Sequence, residues 1–298
     1  METTAADTGA YTPKPSWLKT KIPSGADFAL ISRELREKSL NTVCREAACP
    51  NISECWQART STFMILGDVC TRNCLFCNVK TAVLNGGTDK DEPIRLAETI
   101  YSLGIKYAVI TMVSRDDLED GGASHVAEVL KAIRKRAPQT NIEFLGSDFS
   151  GNESSIKTVL SQVPKVFAHN VETVERLTPI VRDGRADYRV SLEVLRMAKR
   201  LADYPVFTKS GLIVGLSETF EEIVTTLKEL REASVDFVTV GQYLRPSMAN
   251  VTVSRYLHPD EFKEIENVAR DLGFLSVASA PLVRSSYRAR EFFENSIK

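Results

Sequence analysis

The chain has 298 residues, with 38 lysine plus arginine residues against 39 aspartate plus glutamate residues, and its formal net charge is −1. Hydrophobic residues make up 43% and charged residues 26%, an ordinary globular composition that excludes a disordered or fibrous chain. The near-zero charge gives no electrostatic ground for nucleic acid or an anionic membrane as partner.

The amino-terminal residues predict an extended arm followed by a short helix. Pro13, Pro15 and Pro23 interrupt a polar stretch, and residues 28–38 have the pattern of a helix. The stretch has neither the positive nor the apolar region of a secretory signal, and no apolar run of the chain is long enough for a bilayer. We therefore expect a cytoplasmic protein whose thiols stay reduced.

Short apolar runs then alternate with longer amphipathic ones. The apolar runs are rich in Val, Ile and Phe, and they predict buried strands over residues 62–66, 106–113, 142–145, 165–171, 211–216 and 237–244. Between them, Ile223, Leu227 and Leu230 share one helical face. Pro259 predicts the first turn of another helix, which ends before Gly273.

The alternation of strand and helix predicts an α/β protein built from parallel βαβ units. Six units suit a partial (β/α)6 TIM-type barrel, although a doubly wound sheet has the same rhythm. In either fold the active groups lie on loops after the strands. Those loops begin near Asp68, Ser114, Gly146, Glu172, Ser217 and Arg245.

The first of these loops carries three cysteines, Cys70, Cys74 and Cys77. Three thiolates this close, with no nearby histidine, favour a four-iron cluster with one open iron. A zinc knuckle completed by a distant ligand, or a redox thiol pair, remains an alternative. The C-x₃-C-x₂-C motif after a first strand resembles that of radical S-adenosylmethionine (radical SAM) enzymes. In that family the open iron chelates the cofactor, whose cleavage makes a radical that abstracts hydrogen from carbon.

A second triad, Cys44, Cys49 and Cys55, lies just upstream, and there is no seventh cysteine. It indicates a second metal centre that is one ligand short. The alternative is a pair of structural cysteines plus a spare buried thiol.

The region around both triads resembles the lipoyl synthase family. The matching segments cover roughly residues 13–290. They are CREAACPNISECW at 44–56, TFMILGDVCTR at 62–72, SRDDLEDGGA at 114–123, HNVET at 169–173, TKSGLIVGL at 208–216, GQYLRPS at 241–247 and RSSY at 284–287.

The resemblance implies three segments. Residues 1–60 would form the arm and the cysteine-rich extension, 61–250 the radical SAM partial barrel, and 251–298 a carboxy-terminal extension with the RSSY motif. It also implies two [4Fe–4S] clusters. One is held by Cys70, Cys74 and Cys77, and the other by Cys44, Cys49, Cys55 and Ser285, with Ser286 as the other candidate serine.

The resemblance implies sulfur insertion at the sixth and eighth carbons of an octanoyl chain on a lipoyl carrier domain. The second cluster donates both sulfur atoms, and S-adenosylmethionine is the cofactor. The carrier would be the H protein of the glycine cleavage system or the E2 component of a 2-oxoacid dehydrogenase. An electron donor such as ferredoxin or flavodoxin and an iron–sulfur cluster carrier would be further partners.

Cofactor contacts are assigned to Phe76, Asn170 and Glu172, and to Gly121 and Gly122, whose backbones would approach the cofactor. A strand-end cap and a plain turn are the alternatives for the polar pair and the glycines. Two arginines, Arg182 and Arg245, are candidates for binding a carboxylate or the carrier domain, although surface arginines usually bind neither.

Several strand-end residues depart from the family pattern, namely Ser114, Gly146, Ala168, Ser217 and Ala280. They could tune the substrate pocket, and none removes an expected cluster ligand. Two other functions remain open. One is a biotin-synthase-like sulfur inserter with another acceptor, and the other is a non-catalytic iron–sulfur or zinc protein.

Overall fold

A computed structural model describes residues 13–20, 25–47, 49–57 and 60–296 of the chain. Most of the predicted arm, including Pro23, lies outside these residues. The predicted helix at 28–38 is confirmed as α1. The α-helices are α1 Ala26–Glu37, α2 Val43–Glu46, α3 Ile52–Gln57, α4 Glu92–Ser102, α5 Ala123–Arg136, α6 Glu153–Leu160, α7 Thr178–Val181, α8 Tyr188–Leu201, α9 Phe220–Glu232, α10 Pro259–Asp271 and α11 Ala289–Ser296.

The strands include all six that the apolar runs predict. They are β1 Asn41–Thr42, β2 Thr62–Ile65, β3 Val69–Cys70, β4 Lys80–Thr81, β5 Tyr107–Met112, β6 Asn141–Leu145, β7 Val166–Ala168, β8 Phe207–Val214, β9 Phe237–Gln242 and β10 Ser276–Ser279. The main sheet has the order β1-β2-β5-β6-β7-β8-β9-β10, and β3 pairs with β4 separately.

The strand order decides between the two candidate topologies. From β2 to β10 each strand of the main sheet pairs in parallel with the next one in sequence, whereas β1 runs antiparallel to β2. A doubly wound sheet reverses its order at a switch point, and this sheet does not. The fold is therefore the expected partial β/α barrel, with helices between successive parallel strands.

The carboxy-terminal segment adds an unpredicted strand. Residues 276–279 of β10 pair in parallel with residues 237–240 of β9, after helix α10. The short Ser-Val-Ala-Ser sequence has one buried residue, Val277, and so lacks the apolar run that marks the other strands. The β/α alternation continues past residue 250, through α10 and β10. The predicted division of the chain at that residue stays a prediction.

Helices α9 and α10 confirm their sequence signals. Ile223, Leu227 and Leu230 are all buried on α9. The second helix begins at Pro259, as expected, and Gly273 follows its end with a φ of 84°, which favours glycine.

Helix α11 packs at the end of the barrel where the strands begin. Phe293 packs with Tyr107 and Phe237, the first residues of β5 and β9. The opposite end, where the strands finish, therefore stays available for a site.

Candidate active site

A cavity of about 550 Å³ opens at the carboxyl ends of the barrel strands. This lies within the 300–1,000 Å³ of small-molecule sites. Four of the strand-end loops predicted to carry function line it, through Ser114, Gly146, Glu172 and Arg245. Asp68 and Ser217 are not among its described lining residues. The two departures Ala168 and Ala280 are also outside that lining, whereas Ser114 and Gly146 are part of it.

The first cysteine triad lies on a tight loop at the edge of this cavity. The pairing of β3 with β4 closes the loop, and the N–H of Cys77 donates to the carbonyl of Cys74 at 3.0 Å. All three thiols, Cys70, Cys74 and Cys77, line the cavity. Backbone N–H groups point at two of the sulfurs, from Arg72 to Cys70 at 3.4 Å and from Asp183 to Cys74 at 3.3 Å. Such donors stabilise cluster thiolates.

Cys74 and Cys77 favour the neutral thiol in the absence of metal. Burial, together with the neighbouring Cys74, raises the pKa of Cys77 to about 11. Burial also raises the pKa of Cys74. A thiol with a raised pKa is a poor nucleophile and needs bound metal to ionise it. The triad therefore suits metal ligation better than catalysis by a free thiolate.

The second triad is built from two short helices and the turn between them. Cys44 is buried on α2, Cys55 lies on α3, and Cys49 lies between. Burial raises the pKa of Cys55 to about 12, and the charges of Cys44 and Cys49 add to the shift. Burial and Cys44 likewise raise the pKa of Cys49. The three thiols thus interact electrostatically, although none forms a disulfide.

The carboxy-terminal segment lies against this triad. The side-chain amide of Asn51 donates to the carbonyl of Leu282 at 2.6 Å. The N–H of Gln242 donates to the carbonyl of Pro281 at 3.2 Å. Gly241 permits the crossing, since a Cβ there would lie 2.0 Å from the carbonyl oxygen of Val283. The RSSY motif is therefore held over the end of β9 and beside the cysteine-rich segment.

The two candidate serines have different surroundings. Ser285 lines the cavity. Ser286 accepts a hydrogen bond of 2.7 Å from the hydroxyl of Thr62. Further along, the phenol of Tyr287 and the guanidinium of Arg288 donate to Glu54, at 3.1 and 2.7 Å. The geometry thus leaves Ser285 facing the cavity and gives Ser286 a structural partner.

The donor set of both triads fits clusters better than single ions. Among the described residues, no group of three His, Cys, Asp or Glu side chains is placed to hold one metal ion. Tetrahedral zinc gathers its sulfurs to within roughly 3.8 Å of one another. A four-iron cube takes one thiolate per iron and spreads them wider. The thiols of each triad interact electrostatically, but they are not placed to hold a single ion. This spacing fits the thiolates around a four-iron cube.

Asn170 and Glu172 come together where β7 ends, as expected. The amide of Asn170 donates to Glu172 at 3.1 Å, and both side chains line the cavity. The amide oxygen of Asn170 is buried and has no hydrogen-bond partner. Burial raises the pKa of Glu172, which has a left-handed φ of 67°. An unpaired acceptor and a desolvated carboxyl group are suited to a polar ligand.

Arg182, one of the two arginines that are candidates for binding a carboxylate or the carrier domain, is 8% exposed and lines the cavity. Its guanidinium donates to the hydroxyl of Ser191 at 2.9 Å, and its Nε is buried without a partner. It forms no ion pair with a described carboxylate. A buried cation near Glu172 that makes no direct ion pair among the described residues is suited to an anionic group of a ligand.

The three remaining predicted cofactor contacts lie in different places relative to the cavity. Phe76 lines the cavity. Gly121 and Gly122 are outside its described lining and pack on the barrel, where a Cβ would lie 3.1 Å from Phe149 and 2.6 Å from Leu66 respectively. Both have left-handed φ values, 63° and 90°, at the start of α5. Their glycine character thus has a packing reason, and their cofactor role stays a prediction.

Arg72 was missed by the sequence reasoning although it lies inside the first cysteine motif. It is 6% exposed, and it donates to both oxygens of Asp148 at 2.6 and 2.7 Å and to Asp116 at 2.7 Å. Burial opposes ionisation of Asp148, but the hydrogen bonds from Arg72 outweigh it and lower the pKa of that carboxyl group. These ion pairs fix the loop that carries the first cysteine triad to the loops after β5 and β6.

In the described part of the chain, the helices are too short or too polar for any of them to cross a membrane.

A family model described as the radical SAM superfamily matches residues 64–230. Two solved structures share the fold at 14% identity. The FeFe-hydrogenase maturase HydG from Carboxydothermus hydrogenoformans has a TM-score of 0.58 and covers 91% of this chain and 68% of that chain. A methylornithine synthase has a TM-score of 0.55, covering 70% and 62%. The fold and the cysteine loop thus define a radical SAM enzyme.

A second family model, the N-terminal domain of lipoyl synthase, matches residues 3–49. Lipoyl synthase of Thermus thermophilus is 50% identical over 94% of this chain and 86% of its own length. That of Halalkalibacterium halodurans is 51% identical over 94% and 92%. The mitochondrial lipoyl synthase of Drosophila melanogaster is 50% identical over 95% and 76%. The chain belongs to the lipoyl synthase family.

Proposed function

We propose that this protein inserts two sulfur atoms into an octanoyl chain carried in amide linkage on a lysine of a lipoyl carrier domain. The observation that carries the proposal is the position of the two triads around one cavity. Cys70, Cys74 and Cys77 line it directly. The second triad borders it through Val43 and Pro50, which flank Cys44 and Cys49 in sequence.

The cysteines of the first triad would hold a [4Fe–4S] cluster with one iron free for S-adenosylmethionine. Cys44, Cys49, Cys55 and Ser285 would hold a second [4Fe–4S] cluster. When bound, these groups supply a radical that abstracts hydrogen from carbon, and the sulfur that replaces it. An alkoxide oxygen is a harder and weaker ligand for cluster iron than a thiolate, so the Ser285 corner is the place for the second cluster to open.

The chain's own residues then bind and orient the cofactor. The carboxyl group of Glu172 and the unpaired amide oxygen of Asn170 would accept hydrogen bonds from its polar groups. The guanidinium of Arg182 supplies positive charge for an anionic group, and Phe76 offers a flat surface for the adenine. The cavity wall keeps the reacting carbon and the sulfur donor in fixed proximity.

The partners follow from this reaction. The substrate would be the octanoylated H protein of the glycine cleavage system or the octanoylated E2 component of a 2-oxoacid dehydrogenase. Ferredoxin or flavodoxin would supply electrons, and an iron–sulfur carrier would restore the spent cluster. The six free cysteines support a reducing compartment such as the cytoplasm.

The test is mass spectrometry of an octanoylated carrier domain after reaction with anaerobically reconstituted enzyme, S-adenosylmethionine and a reductant. We expect a mass gain of two sulfur atoms on each octanoyl group. Cofactor cleavage without sulfur gain on this substrate would instead indicate a sulfur inserter with another acceptor, of the biotin-synthase-like kind.

A further inference from the structure

Three large apolar side chains are exposed close to the mouth of the cavity. Leu75, Ile180 and Met248 are 43%, 56% and 78% exposed. None of the three belongs to the cavity's described lining. We call this set the rim patch. Exposed apolar clusters of this kind mark interaction sites more often than isolated exposed residues do.

Backbone hydrogen bonds join the three segments that carry the rim patch, which are the loop of Leu75, helix α7 with Ile180 and the loop of Met248. The N–H of Leu75 donates to the carbonyl of Val181 at 2.8 Å, and the N–H of Val251 donates to the carbonyl of Leu75 at 3.0 Å. The amide side chain of Asn250 also donates to the carbonyl of Leu75, at 3.2 Å. The three segments thus form one connected surface, which these hydrogen bonds hold in place in the absence of a partner protein.

Residues next to the rim patch in sequence line the cavity itself. Cys74 and Phe76 flank Leu75, Arg182 follows Ile180 by two positions, and Pro246 precedes Met248 by two. The rim patch therefore borders the opening through which a substrate chain must pass.

The same border carries a positive charge without a counter-ion. Arg245 lines the cavity and donates to the carbonyl groups of Met248 and Asn250, at 2.6 and 2.8 Å. It forms no ion pair with any carboxylate in the described ranges. A guanidinium bound only to carbonyl groups remains available for a carboxylate on a partner.

We propose that the rim patch is the docking surface for the folded carrier domain, with Arg245 meeting a carboxylate of that domain. This rests on the function proposed above. An octanoyl chain attached to a folded domain reaches the cavity only if the surface around its lysine lies against the rim. Three apolar side chains are far fewer than the 20–30 residues a side of a stable interface, so they suit a brief encounter with a substrate better than a permanent dimer.

The experiment compares two substrates of the reconstituted enzyme. One is the octanoylated carrier domain, and the other is a short peptide containing the same octanoyl-lysine. The test variant is the double substitution Ile180→Ser and Met248→Ser, which leaves the cluster loop intact. The control is Ile94→Ser on α4, a residue 62% exposed and outside the rim patch.

In the double variant we expect KM for the carrier domain to rise about tenfold, a typical loss for apolar contacts at an interface. KM for the peptide and the rate of cofactor cleavage should stay at the wild-type values. The Ile94→Ser enzyme should match the wild type with both substrates. An unchanged KM for the domain, or an equal rise for domain and peptide, would overturn the docking surface.

Direct binding of the octanoylated domain to the reconstituted enzyme separates this proposal from the function on which it rests. Tenfold weaker binding to the double variant supports the rim patch even if no sulfur is inserted, an outcome that would count against the function alone. Analytical sedimentation tests whether a second copy of this chain, and not the carrier domain, covers the rim patch. A wild-type dimer that the double substitution dissociates would overturn the carrier assignment.

Discussion

The side-chain amide of Asn51 donates a hydrogen bond of 2.6 Å to the carbonyl oxygen of Leu282, 231 positions further along the chain. This bond joins the cysteine-rich segment to the segment that carries Ser285. The guanidinium of Arg288 adds a second link by donating at 2.7 Å to Glu54, the residue before Cys55. The segment that carries Ser285 is thereby held against the cysteine-rich segment.

Ser285→Ala should separate the two halves of the reaction. The variant should still cleave S-adenosylmethionine, because the first triad is untouched. Sulfur insertion should fall by about a hundredfold or more, because losing a ligand should cost at least as much as losing an outer partner of a ligand, which costs about 10–100-fold. The measurement is 5′-deoxyadenosine release and sulfur gain in the same reaction.

Ser286→Ala is the matched control. It removes the acceptor of the Thr62 hydroxyl, which should cost about 1 kcal/mol of the free energy of unfolding. Sulfur insertion should stay close to the wild-type rate. If Ser286→Ala proved the more damaging for sulfur insertion, the assignment of Ser285 as the ligand would be wrong.

Arg72→Met should destabilise the protein strongly. It would leave Asp148 buried, with a side chain 1% exposed and without its counter-ion. Removing one partner of a buried ion pair costs about 3–5 kcal/mol. The measurement is urea unfolding of the apoprotein under anaerobic conditions.

The control for Arg72→Met is Arg189→Met on α8. Arg189 also pairs with two carboxylates, those of Glu175 and Glu229, but its side chain is 57% exposed. Exposed pairs contribute about 0–1 kcal/mol, so this variant should unfold near the wild-type midpoint. Similar losses in the two variants would contradict the role given to burial.

His169 should make the protein less stable in mild acid. Burial lowers its pKa to about 4, and its Nδ1 lies 3.0 Å from the carbonyl oxygen of Gly146, which requires a proton on that nitrogen. The unfolded ring titrates near 6.5. Its contribution is therefore complete above pH 6.5 and is lost as the pH falls towards 4, by about 2 kcal/mol between pH 7 and pH 5.

The measurement is the free energy of unfolding of the apoprotein at both pH values, for the wild type and for His169→Gln. The variant lacks the titrating ring, so its stability should fall by about 2 kcal/mol less over the same interval. Equal falls in the two proteins would show that the ring is not held neutral by the fold.

The sequence predicted those parts of the fold that depend on local patterns. Apolar runs located six parallel strands, helical spacing located α9, and Pro259 and Gly273 marked the ends of α10. Strand β8 was predicted to begin at residue 211, but it begins at Phe207 because polar residues are buried inside the barrel. One of them, Lys209, pairs with Glu143 at 2.7 Å across 66 positions. No local pattern encodes such a partner.

In the candidate site, too, local patterns were informative and contacts between distant residues were not. Cysteine spacing identified both triads, and strand ends identified Asn170 and Glu172. Arg72 escaped notice, and the burial of the candidate Arg182 was not foreseen, because the burial of both depends on side chains far away in sequence. An arginine in a motif looks the same whether it is buried or exposed. Gly121 packs closely against Phe149, and its cofactor role stays a prediction.

On the function proposed here, one cluster makes the radical and a separate cluster donates the sulfur. The most direct measurement is the iron content and both activities of the triple variant of Cys44, Cys49 and Cys55 to alanine. We predict that iron falls from about eight to about four per chain, cofactor cleavage persists and sulfur insertion is lost. Unchanged iron, zinc in its place, or loss of cofactor cleavage together with sulfur insertion would contradict the assignment of two separate clusters.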